Sequence, residues 1–552
     1  MIQILFACLS LIMLIFGCVL NTAGLTSEPV DKENFSKLVY PGENGMLIYK
    51  AYTEKGDCLP DFSYVGYMGG ESKIPVLPVV EVIEPGDGSD DATRMQMIFD
   101  KVSFSPADQD GLRGAILIKK GKYFISRTLY IRGSGVVIRG EGEGEDGTIL
   151  VATAKRQYDL IQFTGSGKPM EIPDTRQKIT NQYVPVGARR FTVEDGSLYK
   201  PGDQIVVLRP STSNWISDLG MDRIPTNRQD VTQWKAGDYN IHYQRNILEV
   251  DGNQITIDAP LVCSLDQKYG GGCIYKYEFG GRIEQVGIEN IRLESVFTHN
   301  TDENHGWRSV SFDAVQDGWV RNITARYFGY SAVHIMRNAK QITVQDSKCL
   351  DPVSKITGGR RYSFNIEGQL NLVKNCYARG GRHDFVLGSR VAGPNVFLDC
   401  RAENAYSVSE PHHRWSTGTL YDNVSVSGER AALQVTNRGD SGTGHGWAGA
   451  QVVFWNCQAP LIAVLQPPTA QNFAIGLRSP QRINRPGVSS NLNFINKQSG
   501  NKFIYKGHPF VGDGYFESPE GPVTPRSLYI KQLEDRLGIY DEFTNENNPN
   551  EL

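Results

Sequence analysis

The sequence predicts an all-β fold built as a parallel β-helix, and three observations carry that prediction. First, one short strand ending recurs through the second half of the chain: Val320-Arg321-Asn322-Ile323, Thr343-Val344-Gln345-Asp346-Ser347, Leu372-Val373-Lys374-Asn375-Cys376, Phe397-Leu398-Asp399-Cys400, Leu420-Tyr421-Asp422-Asn423-Val424 and Phe454-Trp455-Asn456-Cys457. Second, its Asn or Asp positions, 322, 346, 375, 399, 423 and 456, lie 24, 29, 24, 24 and 33 residues apart, as in a solenoid with loop insertions. Third, the intervening segments alternate apolar and polar residues, with Gly and Asn at turns and no long helical stretch. Coils of this kind stack at about 4.8 Å, so equivalent residues sit above one another. Stacked Asn and Asp side chains should then hydrogen-bond along a column. Cys376, Cys400 and Cys457 should fill one interior row, buried and unpaired.

The elements follow in chain order. Residues 1–24 read as an export signal, because Ile2 to Leu20 is almost wholly apolar and small residues follow at once. Ile15-Phe16-Gly17-Cys18 offers an alternative, a lipoprotein signal over 1–17 with lipid on Cys18. An N-terminal extension (25–80) precedes the opening coils (81–164). There Asp90 to Val102 reads as a capping helix, with Met95, Ile98, Phe99 and Val102 on one stripe. Between 165 and 285 the short period fails and a β-rich insertion is expected, with strands at Arg190–Val193, Asp203–Leu208 and Gln254–Ile257. Its long loop carries Trp215, Trp234 and Tyr239, candidates to line a sugar groove, with core packing as the alternative. Cys263 and Cys273 bracket a Gly-rich loop that a disulfide could close. The main β-helix spans 286–480, and 481–552 forms a C-terminal tail with a capping segment. Within that tail Ser527–Leu537 reads as a helix with Pro525 at its entry and Gly538 at its exit.

Composition narrows the function classes. The 552 residues carry 57 Lys+Arg against 61 Asp+Glu, a formal charge of −4. That balance argues against nucleic acid as a partner, which needs a basic face. A mean hydropathy of −0.35 is too polar for a multi-span membrane protein. The expected location is exported: periplasm, outer-membrane surface if lipid-anchored, or secreted.

Pro85-Gly86-Asp87-Gly88-Ser89-Asp90-Asp91, with the helix and strands after it, resembles the start of pectate-lyase-like proteins. The later segments Gly359-Arg360-Arg361-Tyr362, Gly381-Arg382-His383-Asp384-Phe385-Val386, Gly393 to Asp399, Pro411-His412-His413-Arg414-Trp415-Ser416-Thr417-Gly418 and Gly444-His445-Gly446-Trp447-Ala448 resemble one exported bacterial branch of that superfamily. The resemblance covers roughly residues 80 to 480. It implies a right-handed, single-stranded β-helix acting on polysaccharide, without fixing the reaction. Two specialised members fit poorly. Asn300-Thr301-Asp302 and Gly444-His445-Gly446 match polygalacturonase motifs but stand 144 positions apart without the Asp-Asp between them. The Trp-Ile-Asp-His signature of calcium pectate lyases is absent.

Chemistry concentrates in a set of cations about one coil apart: Lys355, Arg360, Arg361, Arg382, His383, Arg390, His412, His413 and Arg414. Such a face suits β-elimination from a uronate. There a base removes the proton beside the carboxylate, a cation neutralises that carboxylate, and an acid protonates the leaving oxygen. The expected proton-transfer residues are His383 and His413, with Tyr362 as donor or base and Arg361 beside it. The expected substrate holders are Arg360, Arg382, Arg390, His412, Arg414 and Trp215. No cofactor is required, with calcium left open, and His412-His413 as a metal pair lacks a third ligand nearby in sequence. The leading reading is a carbon–oxygen lyase on an acidic polysaccharide or oligosaccharide, releasing sugar or water. Alternatives are a β-helix glycoside hydrolase using two of Glu367, Asp384 and Glu410, and a non-catalytic carbohydrate-binding surface protein.

Overall fold

Parallel strands pair coil upon coil, and from Thr343 onward the large sheet keeps one register. In the larger sheet Thr343 lies beside Leu372, then Val396, Leu420, Val453, Phe473 and Tyr515. One residue on, Val344, Val373, Phe397, Tyr421, Phe454 and Ala474 point to the other side and form an interior column. The aromatic members stack, with ring centroids 5.1 Å apart for Phe397–Tyr421 and 4.9 Å for Tyr421–Phe454. A second parallel sheet closes the coil from the opposite side through Phe163, Phe312, Ile335, Ile366 and Leu387. Each buried large apolar side chain contributes about 1.5–3 kcal/mol, and the columns repeat that gain at every coil. The fold is a right-handed parallel β-helix, the hand that parallel crossovers adopt. This computed structural model describes residues 34–478, the strand segments 482–483, 494–499, 502–505 and 508–509, and residues 512–518 and 520–538. The export signal with Cys8 and Cys18 lies outside the described residues, as does the tail beyond 538.

The Asn/Asp column exists, for a reason other than the expected one. Asn322, Asp346, Asn375, Asp399, Asn423 and Asn456 all take the left-handed conformation, with φ between 50° and 54°. Asn290, at φ 58°, extends the column one coil earlier. This residue turns the chain sharply between two sheet segments, and Asn and Asp tolerate the conformation that costs other side chains about 1–2 kcal/mol. Amide stacking accounts for only part of the column: Asn322 Nδ2 donates to Asn290 Oδ1 at 3.1 Å and Asn375 Nδ2 to Asp346 Oδ1 at 3.3 Å. Asp399, by contrast, pairs with Arg526 at 2.7 Å, and Asn456 bonds the Val523 backbone. Cys376, Cys400 and Cys457 follow their corner residues into the interior and are buried and unpaired, as expected.

The helix Ala92–Ser103 packs Met95, Phe99 and Val102 onto the first coils. The helix Leu528–Leu537 starts on Ser527, whose Oγ accepts from Ile530 N, and ends at Gly538 in the left-handed region. Its position differs from the expected cap. Leu528, Tyr529 and Leu533 lie against Leu420, Val453 and Trp455 on the outer face of the large sheet, beside Leu38, Val39 and Phe62. Leu372, Val396, Leu398, Leu420, Val453 and Trp455 give this part of the outer face an apolar surface, which the segments around Leu38–Phe62 and Val523–Leu533 cover together.

From Met170 to Glu278 the chain forms an antiparallel sheet with its own core. Strands Gln204–Arg209, Ile241–Asp251 and Cys273–Glu278 carry that sheet. The core continues into coil residues Trp415, Trp447 and Leu465. Arg245, fully buried, donates to the carbonyls of Ala259 (3.0 Å), Pro260 (3.0 Å) and Gly393 (2.8 Å), tying the sheet to the coils. No disulfide joins Cys263 and Cys273: Cys263 packs in the insertion core, whereas Cys273 sits on a strand beside Arg176.

Candidate active site

Strands Phe364–Ile366, Phe385–Ser389, Val408–His413 and Ala432–Val435 lie side by side in the second sheet. Phe364, Phe385 and Leu387 point into the core, so Asn365, Val386 and Glu410, which pair across adjacent coils, point the other way. The segments just before and after these strands build a cleft of about 720 Å³ over that outward side. Its walls include Tyr362, Arg382, His412, His413, Arg414, Arg438, Asp440 and His445, with Arg228 contributed by the insertion.

A buried hydrogen-bonded chain runs into the floor of the cleft. Tyr362 Oη lies 2.9 Å from His412 Nε2, and His412 Nδ1 lies 2.9 Å from Glu410 Oε1. Arg438 Nη1 donates to the same Glu410 oxygen at 2.6 Å and to the His412 carbonyl at 2.6 Å. Gln434 holds the other Glu410 oxygen. Arg438 Nη1 also donates to His412 Nδ1 at 2.7 Å, so the imidazole proton sits on Nε2 and is donated to Tyr362 Oη, leaving the phenol hydrogen for the cleft. Burial pushes the Tyr362 phenol above its ordinary range, against the pull of Arg382 and Arg438. Burial likewise drives His412 well below its usual value, reinforced by Arg438 and the neighbouring imidazoles. Glu410 is pushed up to about 7 by burial, which outweighs the Arg438 charge.

His413 projects beside this chain, its ring 5.3 Å from His412 and 4.9 Å from His445. Its Nδ1 has no hydrogen-bond partner and is shielded by the surrounding residues. Burial, then Arg414 and Arg438, hold its pKa down at about 3, so it is a neutral acceptor. Arg382 bonds the Gly358 carbonyl and Arg414 bonds Thr443, leaving most of each guanidinium directed elsewhere.

The remaining sequence candidates separate. His383 is fully buried beneath the site: its Nδ1 bonds the Val408 carbonyl at 2.7 Å, and its ring packs 4.6 Å from His412. The expectation that it moves substrate protons is corrected, because it supports His412 from below and does not line the cleft. Arg361 is buried too, bonding the carbonyls of Ser354 (2.7 Å) and Gly380 (3.3 Å), and turns away from the cleft. Arg360 pairs with Glu303 outside the cleft wall. Arg390 lines a neighbouring cleft. Trp215 is fully buried against Trp415, ring centroids 4.9 Å apart, with Nε1 donating to Thr469 Oγ1 at 3.0 Å. It is core and not a sugar platform.

Of the three carboxyl candidates, none lines the Tyr362 cleft. Asp384 is fully buried, accepts from Ser363 Oγ at 2.6 Å and is pushed up to about 7 by burial. Glu367 lies 3.2 Å from His334, in the neighbouring cleft. Among the described residues, the trio with metal-ligand spacing is His383, Glu410 and His412, whose donor atoms lie within 4.8 Å of one another. Two imidazoles and one carboxylate do not suit calcium, which takes six to eight oxygens. Arg438 Nη1 already sits on the Glu410 and His412 donors. Sequence reasoning missed Arg438, Arg228 and His445. The Gly-His-Gly triplet around His445 is the available signal, but it stands 144 positions from Asn300-Thr301-Asp302, a spacing that does not fit the polygalacturonase pattern.

No protein-family model matches the chain, and no curated protein is similar to it. Among solved structures it is similar to the tailspike protein gp49 of Pseudomonas phage LKA1, at 15% identity and a TM-score of 0.35, covering 71% of this chain and 64% of that one. It is also similar to the tailspike of Escherichia coli bacteriophage HK620 in complex with a pentasaccharide, at 9% identity and a TM-score of 0.36, covering 80% of this chain and 61% of that one. The chain thus spans less than two thirds of either tailspike. The chemistry of the site rests on this chain's own residues.

Proposed function

We infer that the cleft carries out β-elimination on a uronate sugar of an acidic polysaccharide or oligosaccharide, making the protein a carbon–oxygen lyase. The observation that carries this reading is the Tyr362–His412–Glu410 chain, which opens between cations that have no carboxylate of their own: among the described residues neither Arg382 nor Arg414 forms an ion pair.

Arg382 and Arg414 pair the substrate carboxylate and make the proton beside it acidic. The carboxylate also cancels part of the field with which Arg414 and Arg438 hold His413 down. His413 then takes the proton from C5. The C5–H electrons form the C4–C5 double bond, and the C4–O bond breaks. Tyr362, kept protonated by burial, gives its proton to the departing oxygen and takes one from His412 Nε2, and His412 is reprotonated from solvent once the product leaves. His413 releases its proton to solvent. If the departing oxygen belongs to a neighbouring sugar the enzyme is a polysaccharide lyase, and if it belongs to a hydroxyl, a dehydratase. Hydrolysis is less well supported, since it needs two facing carboxyls and Asp440 is the carboxyl lining this cleft among the described residues.

The test is incubation with a panel of acidic algal, plant and animal glycans, followed by ultraviolet absorbance of unsaturated uronate. Absorbance that grows with wild type and vanishes with Tyr362→Phe supports the reading. New reducing ends without absorbance would replace it with hydrolysis.

A further inference from the structure

A second cleft, about 280 Å³, opens between the insertion and the coils. Its coil wall holds Arg337, Glu367 and Arg390, which follow three neighbouring strands of the sheet that carries the active site. Its insertion wall holds Lys168, Asn240 and His242. The two clefts adjoin. Arg390 N donates to the Arg414 carbonyl at 2.9 Å, so these arginines occupy adjacent coils, one facing each cleft. Tyr239 stands at the junction, its ring 5.8 Å from the Arg390 guanidinium.

The charge in this cleft is unbalanced. Among the described residues, Lys168, Arg337 and Arg390 form no ion pair with any carboxylate. Glu367 is the acidic residue on the wall, and it faces His334. Arg337 donates one N–H to the Ser389 carbonyl at 3.0 Å, and Arg390 bonds Ser389 Oγ and the Asp238 carbonyl. Each guanidinium has five donors, so several remain for a ligand. His242 is held below its ordinary value by burial and then by Arg176, Arg337 and Arg390. Arg337 is held down by burial and by Arg390. Burial leads in both cases, and the Arg390 charge adds to each. A folded protein retains such repulsion where a ligand relieves it.

We propose that this cleft is a second anion subsite, binding the carboxylate or sulfate of another sugar in the same saccharide whose reacting uronate lies in the Tyr362 cleft. The proposal rests on the lyase reading for what the first cleft holds, and it specifies the substrate further. The preferred ligand is an oligosaccharide with at least two charged sugars, lying across successive coils. A single uronate fills only one of the two clefts.

The test measures binding without turnover, using Tyr362→Phe protein and titration calorimetry. The probes are oligogalacturonides and chondroitin sulfate oligosaccharides of six sugars, galacturonate as the single charged sugar, and a neutral cello-oligosaccharide as control. Lys168→Gln/Arg337→Gln removes two cations from the exposed lip, and Arg390→Gln removes the third. For the six-sugar acidic probe that binds, both variants should weaken affinity about tenfold or more and flatten its salt dependence. The single-sugar probe should change much less. Carboxylate and sulfate sources are separated by which probe responds. Unchanged affinity for the six-sugar probes in both variants, with melting temperature unchanged, overturns the subsite. Equal losses for short and long probes overturn it too, because the cations would then be serving the first cleft. The outcomes stay distinct from the lyase reading. If no glycan yields unsaturated product yet the variants lose long-probe affinity, the subsite stands and the lyase fails. If product forms and affinity is untouched, the reverse holds.

Discussion

The corner column and the cationic cleft belong to the same coils, yet they differ in how their polar groups are satisfied. Along the column, Asn322, Asp346, Asn375, Asp399, Asn423 and Asn456 do one job six times, each holding the same left-handed turn. Beneath the cleft the outward column does not repeat: it reads His334, Asn365, Val386 and Glu410. Column residues find partners in the next coil or in the chain end. The cleft and its floor hold nitrogens that are screened from solvent and have no partner, at His383 Nε2, His413 Nδ1 and His445 Nδ1. Repetition with satisfied polar groups marks scaffold, and departure from the repeat with unsatisfied groups marks the place where something must bind.

Four experiments would break or sharpen that contrast. The largest effect is expected in the cleft. Tyr362→Phe should lower kcat about 10²–10⁴-fold while leaving melting temperature near wild type, as loss of a general acid does. A variant that turns over normally would move the chemistry away from the buried chain.

Trp215→Ala should cost about 3–5 kcal/mol of stability in denaturant titration, because it empties a fully buried site against Trp415. Trp215→Phe should leave KM unchanged. A raised KM in a stable Phe variant would return this residue to the substrate.

Asp384 offers a pH test of the unsatisfied side. Its carboxyl sits at about 7 in the fold against 3.8 for the free group. A raised acid contributes most below its unfolded value and loses that contribution as pH climbs through its folded one. The stability of Asp384→Asn relative to wild type should therefore grow between roughly pH 4 and 7, by at most about 4 kcal/mol, and level off above. Melting curves that track in parallel across that window would mean that the carboxylate is satisfied after all.

The smallest effect belongs to the column. Asn375→Ala should cost about 1–2 kcal/mol with kcat and KM intact, and Asn375→Gly should recover most of it. If Gly were as damaging as Ala, the hydrogen bond to Asp346 would outweigh the backbone turn.

The sequence displays the scaffold well because a repeat multiplies one signal. Six corner residues and three interior cysteines are visible by spacing alone, as are the helix stripe of Met95, Phe99 and Val102 and the cap at Ser527. The site is less legible, because its members come from different coils and the direction of each depends on loop lengths before the strand. Tyr362, Arg382, His412, His413 and Arg414 do converge. Arg361 and His383, one residue away from Tyr362 and Arg382 respectively, turn instead to the backbone carbonyls of Ser354 and Val408, Arg361 from a left-handed turn at φ 57° that no strand alternation foretells. Arg438 lies outside the recognisable motifs, and His445, although inside one, stands alone without a paired histidine or arginine beside it. Trp215 shows the limit of composition: an aromatic loop reads the same whether it lines a groove or fills a core.

The coil register has a consequence for how such a protein can change. In the strand ladders each coil pairs with the one above and the one below, so a coil added to the stack repeats the same pairing. The Tyr362 chain spans the coils from Tyr362 to Arg438, and Arg337 lies just before it in the stack. A coil gained on the Arg337 side would lengthen the groove by one rung, about 4.8 Å, without displacing a reacting group. The length of saccharide accepted and the reaction performed on it can thus vary independently, the first by counting coils and the second by editing residues within them.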